Sequence, residues 1–192
     1  NNRLKKSICN YPPLKVLLSK EDTKETLFHK QTELKMVVAC KMGYFDYVRM
    51  EYLAYKIYAM LSDSHFKVRW LNVIYREDGK QRQAPGFFIE QKKRMGKRLG
   101  LTQVHESVIP ISSLDHQYAV TVDLFQFMIG NTDYSNIQAR GGSDCCHNIK
   151  LMKQVEEDSE KYIPVPYDFD NSGIINAKYA SPPALLPIKS VT

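Results

Sequence analysis

The chain has 192 residues, of which 43% are hydrophobic and 25% charged, a balance that excludes a fibrous or disordered protein and suits one globular domain or two small lobes. With 27 Lys and Arg against 21 Asp and Glu the net charge is +6, a mild bias toward anionic partners such as nucleotides, nucleic acid or acidic surfaces. No apolar run approaches the roughly 18 residues of a membrane helix, and no signal-peptide pattern opens the chain.

The chain starts at Asn1 rather than Met, which leaves room for a leader upstream and leaves cytoplasmic and exported locations both open. Its four cysteines, Cys9, Cys40, Cys145 and Cys146, make no CxxC pair and no grouping with His at zinc-ligand spacing. Cys9 and Cys40 each lie beside an expected strand. A bridge between them in an exported protein and two buried thiols are both compatible with that placement.

In chain order, "LKVLLS" (Leu14 to Ser19) and "ELKMVVAC" (Glu33 to Cys40) read as neighbouring strands across a polar, turn-compatible stretch. From Tyr44 to Leu61 the period changes: Tyr47, Glu51, Ala54 and Tyr58 recur at helical intervals, and "SDS" ends the run. Next, "FKVRWLNVIYRE" alternates, "DGK" signals a hairpin turn, and "GFFIEQ" supplies a further short strand. Strand, strand, helix, strand, strand over residues 1–91 predicts a small sheet carrying one packed helix.

The segment "KKRMGKRLGL" then leaves the sheet with a basic face, read first as solvated and second as facing phosphate or nucleic acid. Leu114 to Ile129 predicts a helix whose apolar face carries Leu114, Tyr118, Val122, Phe125 and Ile129, and Gly130 stops it. After it, "NIKLM" is short enough for a strand, "YIPVPYDFD" holds an extended segment bounded by prolines, and "NAKYASPPALLP" reads as irregular.

Three polar clusters punctuate this second half. Asp133 follows a helix end, Asn148 immediately precedes an expected strand, and Asp168 immediately follows one, so a hairpin would bring all three to one edge. Such an edge suits a divalent cation: magnesium takes one or two carboxylates with an amide oxygen and keeps its other positions for water and phosphate. A further carboxylate nearby can orient a hydroxyl or accept its proton.

The motifs "IGNTD", "HNIKLM" and "VPYDFDNSG" resemble the catalytic loop and metal-binding turn of atypical protein-kinase-like proteins, particularly bacterial HipA-like and CotH-like kinases, with the CotH-like group the closer. The resemblance spans roughly Tyr11 to Pro183, its second-half motifs being the more specific. It implies that Asp133 positions the acceptor hydroxyl, that Asn148 and Asp168 hold the metal, and that Lys35 in "ELKMVVAC" holds the α and β phosphates. By the same resemblance Glu51 fixes that lysine, while Glu90 and Gln91 lie at the hinge that reads adenine. Independently of family, a helix carboxylate suits a strand lysine whose ammonium would otherwise swing in solvent.

Several features depart from the family pattern. Asp133 and Asn148 lie 15 positions apart, where kinases place the pair about five apart, so an insertion containing "QARGGSDCC" has to loop out. Asn136 is nearer to Asp133 in sequence, but Asn148 leads directly into the expected strand and is preferred. No GxGxxG loop precedes Lys35, and the stretch "KEDTKETLFHKQT" contains no glycine. The second lobe, residues 92–192, is short for a kinase and is expected to be incomplete.

Plainer readings stand beside these. Lys35 and Glu51, each taken alone, read as a solvent-facing lysine and a surface glutamate, and Asp133 as a turn residue. Asp170 either binds a second metal or hydrogen-bonds its own turn. His147, without partners at metal-ligand spacing, reads as structural. Trp70 and the tyrosines read as core or groove lining, and no aromatic signature interleaves with the basic residues, so nucleic acid is not the expected partner.

The resulting expectation is an α+β, two-lobed, protein-kinase-like fold that binds ATP with magnesium or manganese and transfers the γ-phosphoryl group to a hydroxyl on an acceptor protein. The alternatives are a catalytically inactive pseudokinase or nucleotide-regulated binding module, and a basic nucleic-acid-associated protein whose acids only brace turns. The sequence names neither the acceptor nor the oligomeric state.

Overall fold

Residues 9–11, 14–139, 145–155 and 161–182 are described by the computed structural model. The first sheet is four-stranded and antiparallel, built from β1 (Leu14–Leu17), β2 (Glu33–Val38), β3 (Val68–Glu77) and β4 (Lys80–Ile89) in the order β1-β2-β4-β3. Asp78 and Gly79 join β3 to β4, with φ of 49° and 73°; paired left-handed residues give the turn whose twist matches that of the flanking strands. β4 is longer than the "GFFIEQ" expected, because β3 keeps pairing with it back to Lys80. Pro85 fits there because the β2 ladder stops at Gly86, so the strand around the proline is paired on one side only.

Helix α1 (Phe45–Leu61) buries Val48, Glu51, Ala54, Tyr55 and Tyr58 and packs on β3 and β4. The basic segment forms α2 (Lys92–Leu99), whose Met95 and Gly96 turn inward while its lysines and arginines lie on the remaining faces. A second, three-stranded antiparallel sheet follows, made of β5 (Leu101–Gln103), β6 (Ile149–Gln154) and β7 (Ile163–Pro166) in that order. Strand β5 was not expected, since three residues are too few to display an alternation.

Helix α3 (His116–Met128) begins later than the Leu114 expected, because the Asp115 carboxylate caps it by accepting the Tyr118 N–H at 3.1 Å. Ile111–Ser113 forms a short 3-10 turn ahead of it. Gly130, at φ 63°, takes the left-handed conformation that lets the chain turn off the helix.

A run of aromatic side chains joins the two sheets into one core. Tyr52 meets Trp70 and Phe87, Tyr55 meets Phe87 and Phe169, and Phe125 meets Phe169 and Tyr58, with ring centroids 4.7 to 5.8 Å apart. Phe87 and Phe169 are wholly buried, and burying a phenylalanine side chain contributes about 1.5–3 kcal/mol. Phe169 is the central residue of "DFD". The turn that carries Asp168 is therefore anchored to α1 and α3 by its own neighbour.

The α+β expectation is met by three α-helices and two small antiparallel sheets among the described residues. None of the described helices is long and apolar enough to cross a membrane. Cys9 and Cys40 form a disulfide with a Cα–Cα distance of 4.6 Å, and Cys145 and Cys146 are bridged to each other.

Candidate functional site

The segment after α3 carries Asp133. Asn131 fixes it: its amide N–H returns to the Gln126 carbonyl at 2.8 Å, and its Oδ1 accepts the Asp133 N–H at 2.9 Å. Three side chains then converge on the Asp133 carboxylate. His147 Nε2 lies 3.0 Å from Oδ1, while Asn148 Nδ2 and Asn171 Nδ2 donate to Oδ2 at 3.1 and 3.3 Å. Asn148 Nδ2 also donates to the Asp133 carbonyl at 2.7 Å.

The long spacing between Asp133 and Asn148 is absorbed by a pinched loop. His147 N–H donates to the Gln138 carbonyl at 3.2 Å and Ser135 N–H to the His147 carbonyl at 3.0 Å, so the two ends of the insertion are held side by side. Residues 140–144 of "QARGGSDCC" lie outside the described residues. Asn136, the nearer candidate, instead donates through Nδ2 to Asp123 at 2.7 Å.

Register brings Asn148 and Asp168 together. Ile149 on β6 pairs with Pro166 on β7, and the Tyr167 N–H donates to the Asn148 carbonyl at 3.0 Å, so both residues leave the ladder at one end. Both also have left-handed backbones, with φ of 53° at Asn148 and 63° at Asp168. Asn and Asp are the side-chain-bearing residues that tolerate this region best, and such conformations concentrate at sites the surrounding structure over-determines.

Lys35 reaches the same place from the first sheet. Its Nζ lies 3.8 Å from Asp168 Oδ1, a pair in which the side chains are 47% and 38% exposed, so the contact stabilises the fold by no more than about 1 kcal/mol. Lys35 pairs in register with Ile89, which puts Glu90 and Gln91 one and two residues beyond its β4 partner. The Glu90 carboxylate is taken up by Arg98 Nη2 at 2.8 Å and by the Lys67 N–H at 3.0 Å, and Gln91 Nε2 donates to the Glu33 carbonyl at 2.6 Å. These two side chains brace the junction of β2, β4 and α2 and do not join the Asp133 cluster.

Glu51 is 2% exposed, one helical turn before Tyr55. The Asp168 N–H donates to the Tyr55 hydroxyl at 2.9 Å. Burial, then the negative charges of Glu51 and Asp168, push that hydroxyl well above its ordinary value. The structure thus gathers Lys35, Glu51, Tyr55 and Asp168 in one region and Asp133, His147, Asn148 and Asn171 in an adjoining one. Asp170, also buried, accepts from Asn171 Nδ2 at 3.0 Å, and Asn171 thereby links it to Asp133.

Sequence reasoning passed over Tyr55, Asn131 and Asn171, and read His147 as structural without placing it on Asp133. Tyr55 was legible as the residue one turn after Glu51 on the expected helix. The others sit beside singled-out residues but make their contacts through loop geometry, which leaves no periodic trace.

Comparison with protein-family models, curated proteins and solved structures gives no match. The site is therefore interpretable only through its own chemistry. Among the described residues there is no group of three or more His, Cys, Asp or Glu placed to hold a metal ion. A magnesium site of the sparse kind needs less, one carboxylate and one amide oxygen, with water and phosphate completing the shell. Asn148 and Asp168 fit it: the Asn148 amide nitrogen is committed to Asp133, which leaves the oxygen as its ligating atom.

Proposed function

We propose that the chain is an ATP- and divalent-metal-dependent phosphotransferase of atypical protein-kinase type, acting on a hydroxyl of an acceptor protein. The observation that carries this reading is the convergence of Asp133, Asn148 and Asp168, from three separate segments, beside a strand lysine that ion-pairs with Asp168. Phosphoryl transfer asks mainly for positioning and charge neutralisation, and this residue set offers both. The two-lobed kinase-like architecture is part of the same proposal, supported by the order of two strands, α1, two strands, α2, β5, α3, the Asp133 loop, the β6–β7 pair and the turn carrying Asp168 along the chain.

In this reading Asn148 Oδ1 and the Asp168 carboxylate would hold magnesium or manganese, whose chemistry is to neutralise phosphate charge. Lys35 would hold phosphate oxygens through its half-exposed ammonium. Asp133 would orient the acceptor hydroxyl and take its proton, while His147 and Asn171 keep the carboxylate in one orientation. Glu51 would fix Lys35, as the family resemblance implies, and its negative charge is felt at the Tyr55 hydroxyl that accepts the Asp168 N–H.

One observation favours a nucleotide-binding module without transfer. The connection from β1 to β2 is a series of turns in residues 18–32 with no glycine to let backbone amides close around phosphate. Calorimetry separates the readings. ATP binding that requires magnesium or manganese and is lost in Asp168→Ala supports the site, and transfer to a protein acceptor that is lost in Asp133→Ala supports the enzyme. Metal-independent behaviour identical in the parent and Asp168→Ala would sink both.

A further inference from the structure

The β1–β2 connection, the start of β3 and α2 together form a groove of about 1040 Å³. Leu34 lines it, whereas its neighbour Lys35, which meets Asp168, does not; successive strand residues point to opposite faces, so the groove lies on the sheet face away from Asp168. Lys30, Lys67, Arg69, Lys93, Arg94 and Lys97 converge on it from those three segments. A seventh cation, Arg98, is paired with Glu90, the one carboxylate among the described lining residues. That leaves a surplus of six positive charges, and none of the six ion-pairs with another described residue.

The surplus equals the net charge of the whole chain, +6, so the remainder of the sequence is balanced and the positive field is concentrated here. A basic helix in solvent does not account for it: α2 supplies three of the six cations, and the other three come from segments distant in sequence. Arg94 Nη1 donates to the Lys30 carbonyl at 2.9 Å, which holds the β1–β2 connection beside α2 and leaves the other guanidinium donors of Arg94 for a ligand. Much of the remaining lining is apolar. Leu27 is 78% and Phe28 37% exposed, Phe28 packs against Phe88, and Arg69 pairs in register with Phe88.

Such a lining calls for an occupant that is both acidic and apolar. A small anion would leave Leu27 and Phe28 uncovered, and a hydrocarbon would bury cations without partners. Single-stranded nucleic acid is held by aromatic faces on which bases stack, but Phe28 and Phe88 stand at 88° to each other and form no stacking platform. A protein segment with apolar side chains among its carboxylates meets both demands: Arg69 and Arg94 offer carboxylates two-pronged donors, and the lysines offer point charges. We propose that this groove docks an acidic segment of a partner protein, its carboxylates on the six cations and its apolar side chains against Phe28 and Leu34.

The test follows fluorescence anisotropy as the full chain, without nucleotide or metal, is titrated into the labelled, capped peptide Glu-Glu-Leu-Glu-Phe-Glu-Glu. Its counterparts carry Gln for every Glu, or Ser for Leu and Phe, and labelled oligothymidylate is the nucleic-acid probe. Expected is binding of the first peptide at about 10–100 μM, weakened about tenfold or more by either change of peptide and by Lys93→Glu combined with Lys97→Glu. Arg69→Gln on β3 provides the same comparison should the α2 variant fold poorly. Lys56→Glu combined with Lys80→Glu makes the same change of net charge at exposed lysines outside the groove, and is expected to weaken binding less than about threefold. Equal loss in the two double variants overturns the proposal, because overall charge would then explain the binding. No binding up to roughly millimolar peptide, the signature of a solvated basic face, overturns it, as does equal affinity for the Ser peptide. Oligothymidylate bound more tightly than the peptide, with the same loss on changing Lys93 and Lys97, would assign the groove to nucleic acid and overturn it too. Since neither ATP nor metal is present, the outcome is independent of phosphoryl transfer.

Discussion

Asn148 holds Asp133 twice, donating through one nitrogen to its backbone carbonyl at 2.7 Å and to its carboxylate at 3.1 Å. A single amide thereby fixes both the path of the loop and the direction of its acid, across an insertion that separates the two residues in sequence. Asn148→Gly removes both that hold on Asp133 and, in the proposed reading, the metal ligand Oδ1, while glycine accepts the left-handed backbone at this position. The expected outcome is a folded protein whose metal-dependent ATP affinity is lost and whose transfer rate, if measurable in the parent, falls about 10²-fold or more. Circular dichroism checks the fold, and calorimetry and a radiolabel assay check the rest.

Lys35→Met separates function from stability. The ion pair with Asp168 is half exposed, so unfolding free energy should change by less than about 1 kcal/mol. Nucleotide affinity should drop tenfold or more in the same protein, since an ammonium near phosphate would be gone. A urea titration paired with ATP calorimetry reads both, and a variant that loses stability while keeping its affinity would assign Lys35 to the fold.

Tyr58 predicts an alkaline transition. Burial raises its hydroxyl from 10.0 to about 12, with Ser62 offsetting part of the rise without reaching hydrogen-bond geometry, and the hydroxyl has no hydrogen-bond partner among the described residues. The folded state thus favours the protonated form. Its stabilising contribution is complete below the unfolded value near 10 and is lost as pH rises through about 12, an effect of about 2–3 kcal/mol. Tyr58→Phe should match or exceed the parent by about 1 kcal/mol near neutrality, because an unsatisfied buried hydroxyl disappears. It should also lose less stability between about pH 8 and pH 11, leaving the sensitivity that the other raised tyrosines, Tyr55, Tyr75, Tyr134 and Tyr167, still confer. Urea unfolding at the two pH values is the measurement.

Gly96→Ala sets helix propensity against packing. Alanine favours the interior of α2 by about 1 kcal/mol, but its Cβ would lie 2.6 Å from the Leu101 carbonyl oxygen and 3.2 Å from Met152 Cε. The methionine can move, whereas the carbonyl moves only with β5. Overpacking costs about 1–3 kcal/mol, so the net change is destabilising, with a melting temperature lower by about 2–4 °C for each kcal/mol. A melting temperature equal to or above the parent's would show that β5 yields freely.

Helices α1 and α3 and most strands were legible because each carries its own period, whereas the basic segment that forms α2 was read only as leaving the sheet with a basic face. The α1 face of Val48, Glu51, Ala54, Tyr55 and Tyr58 and the alternation of β3 are local signals, readable without partners. Strand β5 and the early part of β4 were not, since one is only three residues long and the other is held in place by β3 pairing. At the site, the polar residues Asp133, Asn148 and Asp168 could be singled out from their places at element ends. The attachment of Asp133 to His147 and Asn171, and of Asp168 to Tyr55, could not.

By itself the sequence determined α1, α3 and the longer strands and which polar residues stand at their ends, because propensity and periodicity act over a few residues. Tertiary structure alone decided that Glu90 and Gln91 brace a junction, that Lys35 meets Asp168, and that the Asp168 N–H meets the Tyr55 hydroxyl. Those outcomes depend on register, loop closure and the competition of donors for acceptors across distant parts of the chain. No local pattern encodes that competition, because each hydrogen bond made removes a choice from residues far away in sequence.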